Sequence, residues 1–296
     1  MGNWAQIFNE RRQLSPIDDL RKKYLKRLYN LTKRNIIAYY SGWLGHSNLT
    51  SQHPINDADM NAFMTVINTM DRSKGLDLIL HTPGGDIAAT EAIVKYLRSF
   101  FGTDIRAIIP QVAFSAGTMM ACSCKEIIMG KQSNLGPIDP QFNGIPCQGV
   151  IEEFHTAIKQ VSEHPEQLFA WQVVISKYHP TFLGECEKAI EWSEKMVEDW
   201  LKTGMFVEES DADRKAKVIA ETLSSHSKHK SHGRHISAEE CKDVGLKIRM
   251  MEDDQKLQDA ILSVHHAFMV SFSEPMAPIK IVENQNGYRM LFNANN

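Results

Sequence analysis

Leu76-Asp77-Leu78-Ile79-Leu80-His81 runs straight into Thr82-Pro83-Gly84-Gly85-Asp86, and this join between an apolar run and a glycine turn decides how the chain is read. The first five residues, closed by His81, read as a buried strand. Consecutive glycines tolerate positive φ and close approach, so such a turn can aim bare backbone N–H groups at a ligand oxygen. A second join of the same kind follows. Ile105 to Val112 reads as a strand and leads into Phe114-Ser115-Ala116-Gly117-Thr118, which places a serine on a tight turn where a nucleophile sits. The two joins together point to an oxyanion hole beside an activated serine, and so to acyl transfer or hydrolysis.

Outward from these turns the pattern alternates. Asp86 is placed to cap a helix over 87–101, with Ile87, Ala88, Ile93, Val94 and Leu97 spaced to pack on a sheet. Ala116 to Cys122 reads as a further helix and Glu126 to Met129 as a short strand. This repeated strand–turn–helix order implies parallel strands with right-handed crossovers. Upstream, Asn35 to Tyr40 is a strand candidate. Asn56-Asp57-Ala58-Asp59 offers caps for a helix carrying Met60, Phe63, Met64, Ile67 and Met70.

Residues 9–34 read as a basic amphipathic helix with Leu20, Tyr24, Leu25 and Leu28 on its apolar face, suited to contacts between subunits. Downstream, Asn134-Leu135-Gly136-Pro137-Ile138-Asp139-Pro140 is a turn-rich loop. Val150 to Val161 and Cys186 to Thr203 are helical in pattern, and 224–235 is polar. Ser237-Ala238-Glu239-Glu240 starts a helix with a capping box, ending near Gly245. Ile279 to Val282 and Tyr288 to Leu291 flank Gln285-Asn286-Gly287 as a hairpin. This divides the chain into an N-terminal helical segment (1–34), a main domain (35–250) and a C-terminal helix and hairpin tail (251–296).

Of the 296 residues 43% are hydrophobic, enough for a packed α/β core, and the net charge of −3 gives no reason to expect nucleic acid as a partner. Five cysteines (Cys122, Cys124, Cys147, Cys186, Cys241) are an odd number without a regular framework, which fits a reducing cytoplasm. The first residues lack the basic and apolar regions of a signal peptide. Gly2 hints at N-myristoylation, but Gln6 stands where Ser or Thr is wanted. With no apolar stretch long enough to span a bilayer the chain reads as soluble, with peripheral membrane association left open.

Three segments in order carry a family resemblance: Thr82-Pro83-Gly84-Gly85-Asp86, then Phe114-Ser115-Ala116-Gly117, then Arg234-His235-Ile236-Ser237-Ala238-Glu239-Glu240 followed by Val244-Gly245-Leu246. This order resembles the Clp protease superfamily. Leu135-Gly136-Pro137-Ile138-Asp139-Pro140-Gln141 and His232-Gly233-Arg234-His235 look like its serine dehydrogenase proteinase group. The likeness covers about residues 35 to 250. It implies an α/β fold, a Clp/crotonase-like ββα superhelix with an N-terminal helix and a C-terminal extension. It also implies a homo-oligomer, serine endopeptidase chemistry on peptide or protein substrates, no cofactor, and the question of an unfoldase partner. Ser115 would be the nucleophile, the Gly85 and Ala116 N–H groups the oxyanion hole, and Gly84 a contact for substrate.

The base is not assigned by the resemblance. The position of the Clp histidine falls here near Ile138 to Pro140, and that of the Clp aspartate near Gly233. In signal-peptide-peptidase-like relatives a lysine serves, and the matching position here is Thr156. On chemistry, His232 or His235 oriented by Asp139 is the first choice, since an imidazole titrates near neutral pH. His155 is the second, and a desolvated Lys159 or Lys131 the third. The bland readings stand beside these. Ser115 allows close helix packing, Gly84 and Gly85 serve a tight turn, Asp139 caps a loop, and His226, His229, His232 and His235 form a solvated tract with no metal. Two rival functions remain at this level, a non-catalytic oligomeric scaffold and a crotonase-type acyl-CoA enzyme.

Overall fold

In the computed structural model, residues 17–45, 52–68, 70–274 and 277–293 are described. Strands β1 (Asn35–Ser41), β2 (Leu76–His81) and β3 (Ile105–Ile109) lie side by side and parallel, with Ile37 beside Leu78 and Leu78 beside Ala107. The strand expected over 105–112 is two strands. Pro110, which has no N–H to donate to a ladder, ends β3, and the chain turns to make β4 (Val112–Ala113) in a separate small sheet. That bend carries the following serine over the glycine turn.

The helices α1 (Ile17–Thr32), α2 (Asp59–Ile67), α3 (Ile87–Phe101) and α4 (Ala116–Cys122) alternate with these strands. Next come β5 (Glu126–Met129), β6 (Asn134–Leu135) and a small hairpin of β7 (Gln141–Phe142) and β8 (Ile145–Pro146). Four helices follow: α5 (Cys147–Glu163), α6 (Leu168–Ile175), α7 (Phe182–Thr203) and α8 (Ala212–Ser224). One short turn of helix, α9 (His226–His229), precedes β9 (Ile236–Ser237), α10 (Ala238–Val244), β10 (Ile248–Met250), α11 (Gln255–Phe272), β11 (Lys280–Asn284) and β12 (Arg289–Phe292). The main sheet has the order β10-β5-β3-β2-β1-β11-β12, with only β11 and β12 antiparallel to their neighbours. The small sheet is β4-β6-β9.

Because every residue of β2 is buried, its alternation sorts side chains between two cores rather than between core and water. Leu76, Leu78 and Leu80 join α2, α3 and α4 on one face. Ile79 joins Ile36, Ala38 and Ile108 against α1 and α11 on the other. Asp77, the charge inside this run, is buried between Arg34 and Arg106, whose guanidinium nitrogens lie 2.7–2.8 Å from its oxygens.

Helix α3 spans the expected residues, with the Asp86 side chain accepting from Ala89 N–H (2.7 Å) and Gly102 at φ 59° closing it. The capping box at Ser237 and Glu240 is present. Three readings change. The apolar face of α1, expected to meet another subunit, is buried within the chain: Leu20, Tyr24, Leu25 and Leu28 pack with α11, leaving Lys22, Lys23, Lys26 and Arg27 exposed. The part of that expected helix over residues 9–16 lies outside the described residues. Of the residues offered as caps for α2, Asn56 accepts from Ala58 N–H (3.0 Å) and Asp59 from Asn56 N–H (3.0 Å), but Asp59 is also buried against Lys280. The C-terminal hairpin forms around Gly287 (φ 84°) as expected, yet β11 pairs with β1 and completes the main sheet. Among the described residues no helix is long and apolar enough to cross a membrane.

Candidate active site

Strand β2 continues past His81 into a parallel bridge between Thr82 and Ala113, in which Thr82 N–H donates to Val112 C=O (3.3 Å) and Phe114 N–H to Thr82 C=O (3.0 Å). This bridge fixes the glycine turn against the serine turn. Gly84 and Gly85 have φ of 97° and 154°, where a side chain is strained. A Cβ on Gly84 would lie 2.7 Å from Ser115 Cβ, and one on Gly85 would overlap the backbone of Ile55. Both positions therefore require glycine, for backbone geometry and for close approach.

Ser115 sits at φ 48°, ψ −117°, outside the regions L residues ordinarily occupy, at the head of α4. The turn is braced from several sides. Gly117 N–H donates to Phe114 C=O (2.7 Å), the Thr118 hydroxyl donates to Ala113 C=O (2.9 Å), and Gly136 N–H donates to that same hydroxyl oxygen (3.0 Å). Neither Gly85 N–H nor Ala116 N–H has a hydrogen-bond partner among the described residues. Two unused donors thus flank the serine, the arrangement that receives a developing oxyanion.

Asp139 lies in the loop between β6 and β7, which Ile138 N–H ties to Leu223 C=O (3.0 Å) and Pro140 C=O ties to Cys147 N–H (3.0 Å). Its carboxylate is buried and accepts from two imidazoles, His232 Nδ1–H (2.8 Å) and His226 Nδ1–H (3.3 Å). With Nδ1 engaged, His232 has Nε2 left for proton transfer.

A cleft of about 690 Å³ opens over these groups. His232 and Ser115 both line it, with Gly84, Gly85, Met119 and Ile138. Ser115 Oγ has no hydrogen-bond partner among the described residues, His232 included. The other candidates fall elsewhere. His235 is exposed, its ring centroid 4.8 Å from that of Phe114 in an edge-on contact. His155 and Lys159 are exposed on α5 and do not line the cleft. Lys131 is exposed, and its backbone N–H donates to Glu252. Asp86 caps α3 and lines the cleft.

Several participants carried no sequence signal. Pro54 lines the cleft and Ile55 holds the glycine turn through main-chain bonds, which no side-chain pattern announces. Trp192 on α7 lines the cleft at 43% exposure; an exposed aromatic inside an amphipathic helix was the clue available. His226 was visible in the histidine tract, but its distance to Asp139 was not. The five cysteines are free and buried, and burial pushes the Cys124 and Cys241 thiols up to about 12.

The chain matches the family described as ClpP-like SDH-type serine proteinase over residues 19–261. It is 30% identical over 190 residues to an uncharacterized protein of Methanocaldococcus jannaschii, MJ1495, covering 64% of this chain and 57% of that protein. A second uncharacterized protein of the same organism, MJ0137, is 27% identical over 190 residues, covering 64% of this chain and 59% of its own length. The match thus spans less than two thirds of either relative. No solved structure matches the chain. With the parallel sheet, the glycine turn and the serine elbow in the matched span, the chain belongs to the ClpP-like SDH-type serine proteinases.

Proposed function

We propose that the chain hydrolyses peptide bonds as a serine endopeptidase, through an acyl-enzyme at Ser115. The observation that carries this is the strained Ser115 turn flanked by two unengaged N–H groups, Gly85 and Ala116. In the proposed reaction His232 Nε2 takes the hydroxyl proton as Ser115 Oγ bonds to the scissile carbonyl carbon. The oxyanion of the tetrahedral adduct receives the Gly85 and Ala116 N–H groups. Collapse breaks the C–N bond, and the imidazolium returns the proton to the leaving amine. Water then attacks the acyl-enzyme with the same imidazole as base and frees Ser115. Asp139 holds the His232 ring and stabilises its charged form, and His235 and His155 have no part in the step.

A folded polypeptide does not fit a cleft of this size, so an extended segment is the substrate form. Homo-oligomerisation belongs to the proposal as well. It is supported by the apolar helix α6, where Phe169 is 76% and Val173 62% exposed, next to Ile158 of α5 at 68%. A cytoplasmic location is supported by the five unpaired cysteines. An unfoldase or membrane partner would serve to deliver extended substrate.

Incubation with a fluorophosphonate probe, read by intact-mass and peptide mass spectrometry, tests the reading. Modification confined to Ser115, and absent in Ser115→Ala and His232→Ala, is the expected result. The absence of a Ser115–His232 hydrogen bond among the described residues favours one second reading, a scaffold of the same fold without catalysis. Folded protein that never reacts with the probe would overturn the peptidase reading.

A further inference from the structure

Two charges are sealed inside this protein beside the glycine turn. Lys280 of β11 and Asp59 of α2 have no exposed side-chain surface, and Lys280 Nζ lies 2.8 and 3.0 Å from the two carboxylate oxygens. Enclosing such a pair costs as much desolvation as its attraction returns, so net stability does not explain it. What it does explain is the position of the segment between the two charges and the turn. Lys280 Nζ also donates to Pro54 C=O (2.9 Å), while Asp59 accepts from Asn56 N–H (3.0 Å) and from the Tyr39 hydroxyl (2.8 Å). The residues on either side of Ile55 are thereby each tied to the pair.

Ile55 in turn is bonded to the glycine turn through both of its main-chain groups. Its N–H donates to Gly84 C=O (2.7 Å) and its C=O accepts from Asp86 N–H (2.9 Å). These two bonds bracket Gly85 and turn its own N–H away from Ile55, and they hold Gly84, where a Cβ would lie 2.7 Å from Ser115 Cβ, against the serine turn. We propose that the buried Lys280–Asp59 pair is a positioning device for the oxyanion-binding turn, acting through residues 54–56 on Gly85. The inference rests on the serine-peptidase reading for its catalytic consequence. It makes strand β11, far beyond the nucleophile in sequence, a working part of the site.

The test uses the full chain with Lys280→Met and Asp59→Leu combined, which removes both charges and leaves neither unpaired, and Tyr39→Phe, which keeps both charges and withdraws one donor. Two quantities are read: the second-order rate of fluorophosphonate labelling at Ser115, and hydrogen exchange of the Ile55 and Asp86 amides. The double variant is expected to keep a cooperative thermal transition, to label at least about tenfold more slowly, and to exchange both amides faster than neighbouring core amides of β2. Tyr39→Phe is expected to slow labelling about threefold, with the same two amides affected. If the double variant does not fold, Tyr39→Phe carries the test alone.

Wild-type labelling rate and exchange in these variants would overturn the proposal, whatever their stability. A wild-type protein that does not label defeats the peptidase reading instead. The exchange of Ile55 and Asp86 then decides the positioning claim alone, faster exchange upholding it and unchanged exchange ending it.

Discussion

Ser115 holds a backbone conformation that costs on the order of 1–3 kcal/mol and is retained only because its surroundings over-determine it. The Thr82–Ala113 bridge and the Thr118 hydroxyl are those surroundings. Glycine at this position would relieve the strain and alanine would not. Ser115→Gly is accordingly expected to melt higher than Ser115→Ala by the equivalent of about 1 kcal/mol, with both variants inert to the probe, as differential scanning calorimetry and mass spectrometry would show. At Gly85 the constraint is contact with Ile55. Gly85→Ala should fold but displace the turn, lowering the Ser115 labelling rate about 100-fold or more. Among the histidines, substitution of His232 by alanine should abolish labelling while the same change at His155 leaves the rate within about twofold, because His155 is outside the cleft.

Helix α10 shows how an element inherits its limits from a few atoms. Ser237 accepts from Glu240 N–H (3.2 Å) and Glu240 accepts from Ser237 N–H (2.8 Å), with Gly245 at φ 107° closing the far end. Ser237→Ala should cost about 1 kcal/mol in chemical denaturation, since it leaves an N-terminal donor without its cap. The capping hydrogen bond and the Arg234 guanidinium hold the Glu240 carboxyl below its usual range. Its contribution is therefore present above the ordinary carboxylate range and is lost as pH falls through the lowered one.

At the scale of the whole molecule, α11 and the C-terminal hairpin are structural necessities. The face of the sheet carrying Ile36, Ala38, Ile79 and Ile108 is covered by α1 and α11, and β11 occupies the edge that β1 would otherwise present. Removal of residues 277–296 would open that edge and leave Asp59 buried without its lysine, so the shortened chain is expected to be unfolded or aggregated by circular dichroism and light scattering. The same face carries an acid sensitivity. His81 is buried among the rings of Trp43, Tyr40 and His265, and burial pushes its imidazole down to about 3. The unfolded chain binds this proton at about pH 6.5, so stability is full above that pH and falls as pH drops toward 3. His81→Leu should flatten the melting temperature across that window, though His265, also held neutral by burial, keeps some of the slope.

Much of the fold was legible because it is written in local chemistry. The glycine turn at 84–85, the Asp86 cap, the capping box at Ser237 and the Asn-Gly hairpin each depend on residues within a few positions of one another, so chain order alone exposes them. The serine and its flanking amides were legible for the same reason. Which histidine meets Asp139 was less so, because four histidines at three-residue spacing are equivalent in sequence, and only the buried Asp139 carboxylate distinguishes two of them. The run Asn56 to Asp59 was legible as a source of caps because its bonds are local, whereas the pairing of Asp59 with Lys280 was not.

The sequence by itself therefore determined the α/β class, the serine elbow and its facing glycines, since periodicity and turn chemistry act over short spans. Only the tertiary structure decided which imidazoles meet Asp139, that β3 breaks at Pro110, that α1 spends its apolar face inside the chain, and that Lys280 reaches Asp59 across 221 positions. Those choices depend on burial and on distances between segments remote in sequence, where a contact is favourable only after the sheet has brought its partners together.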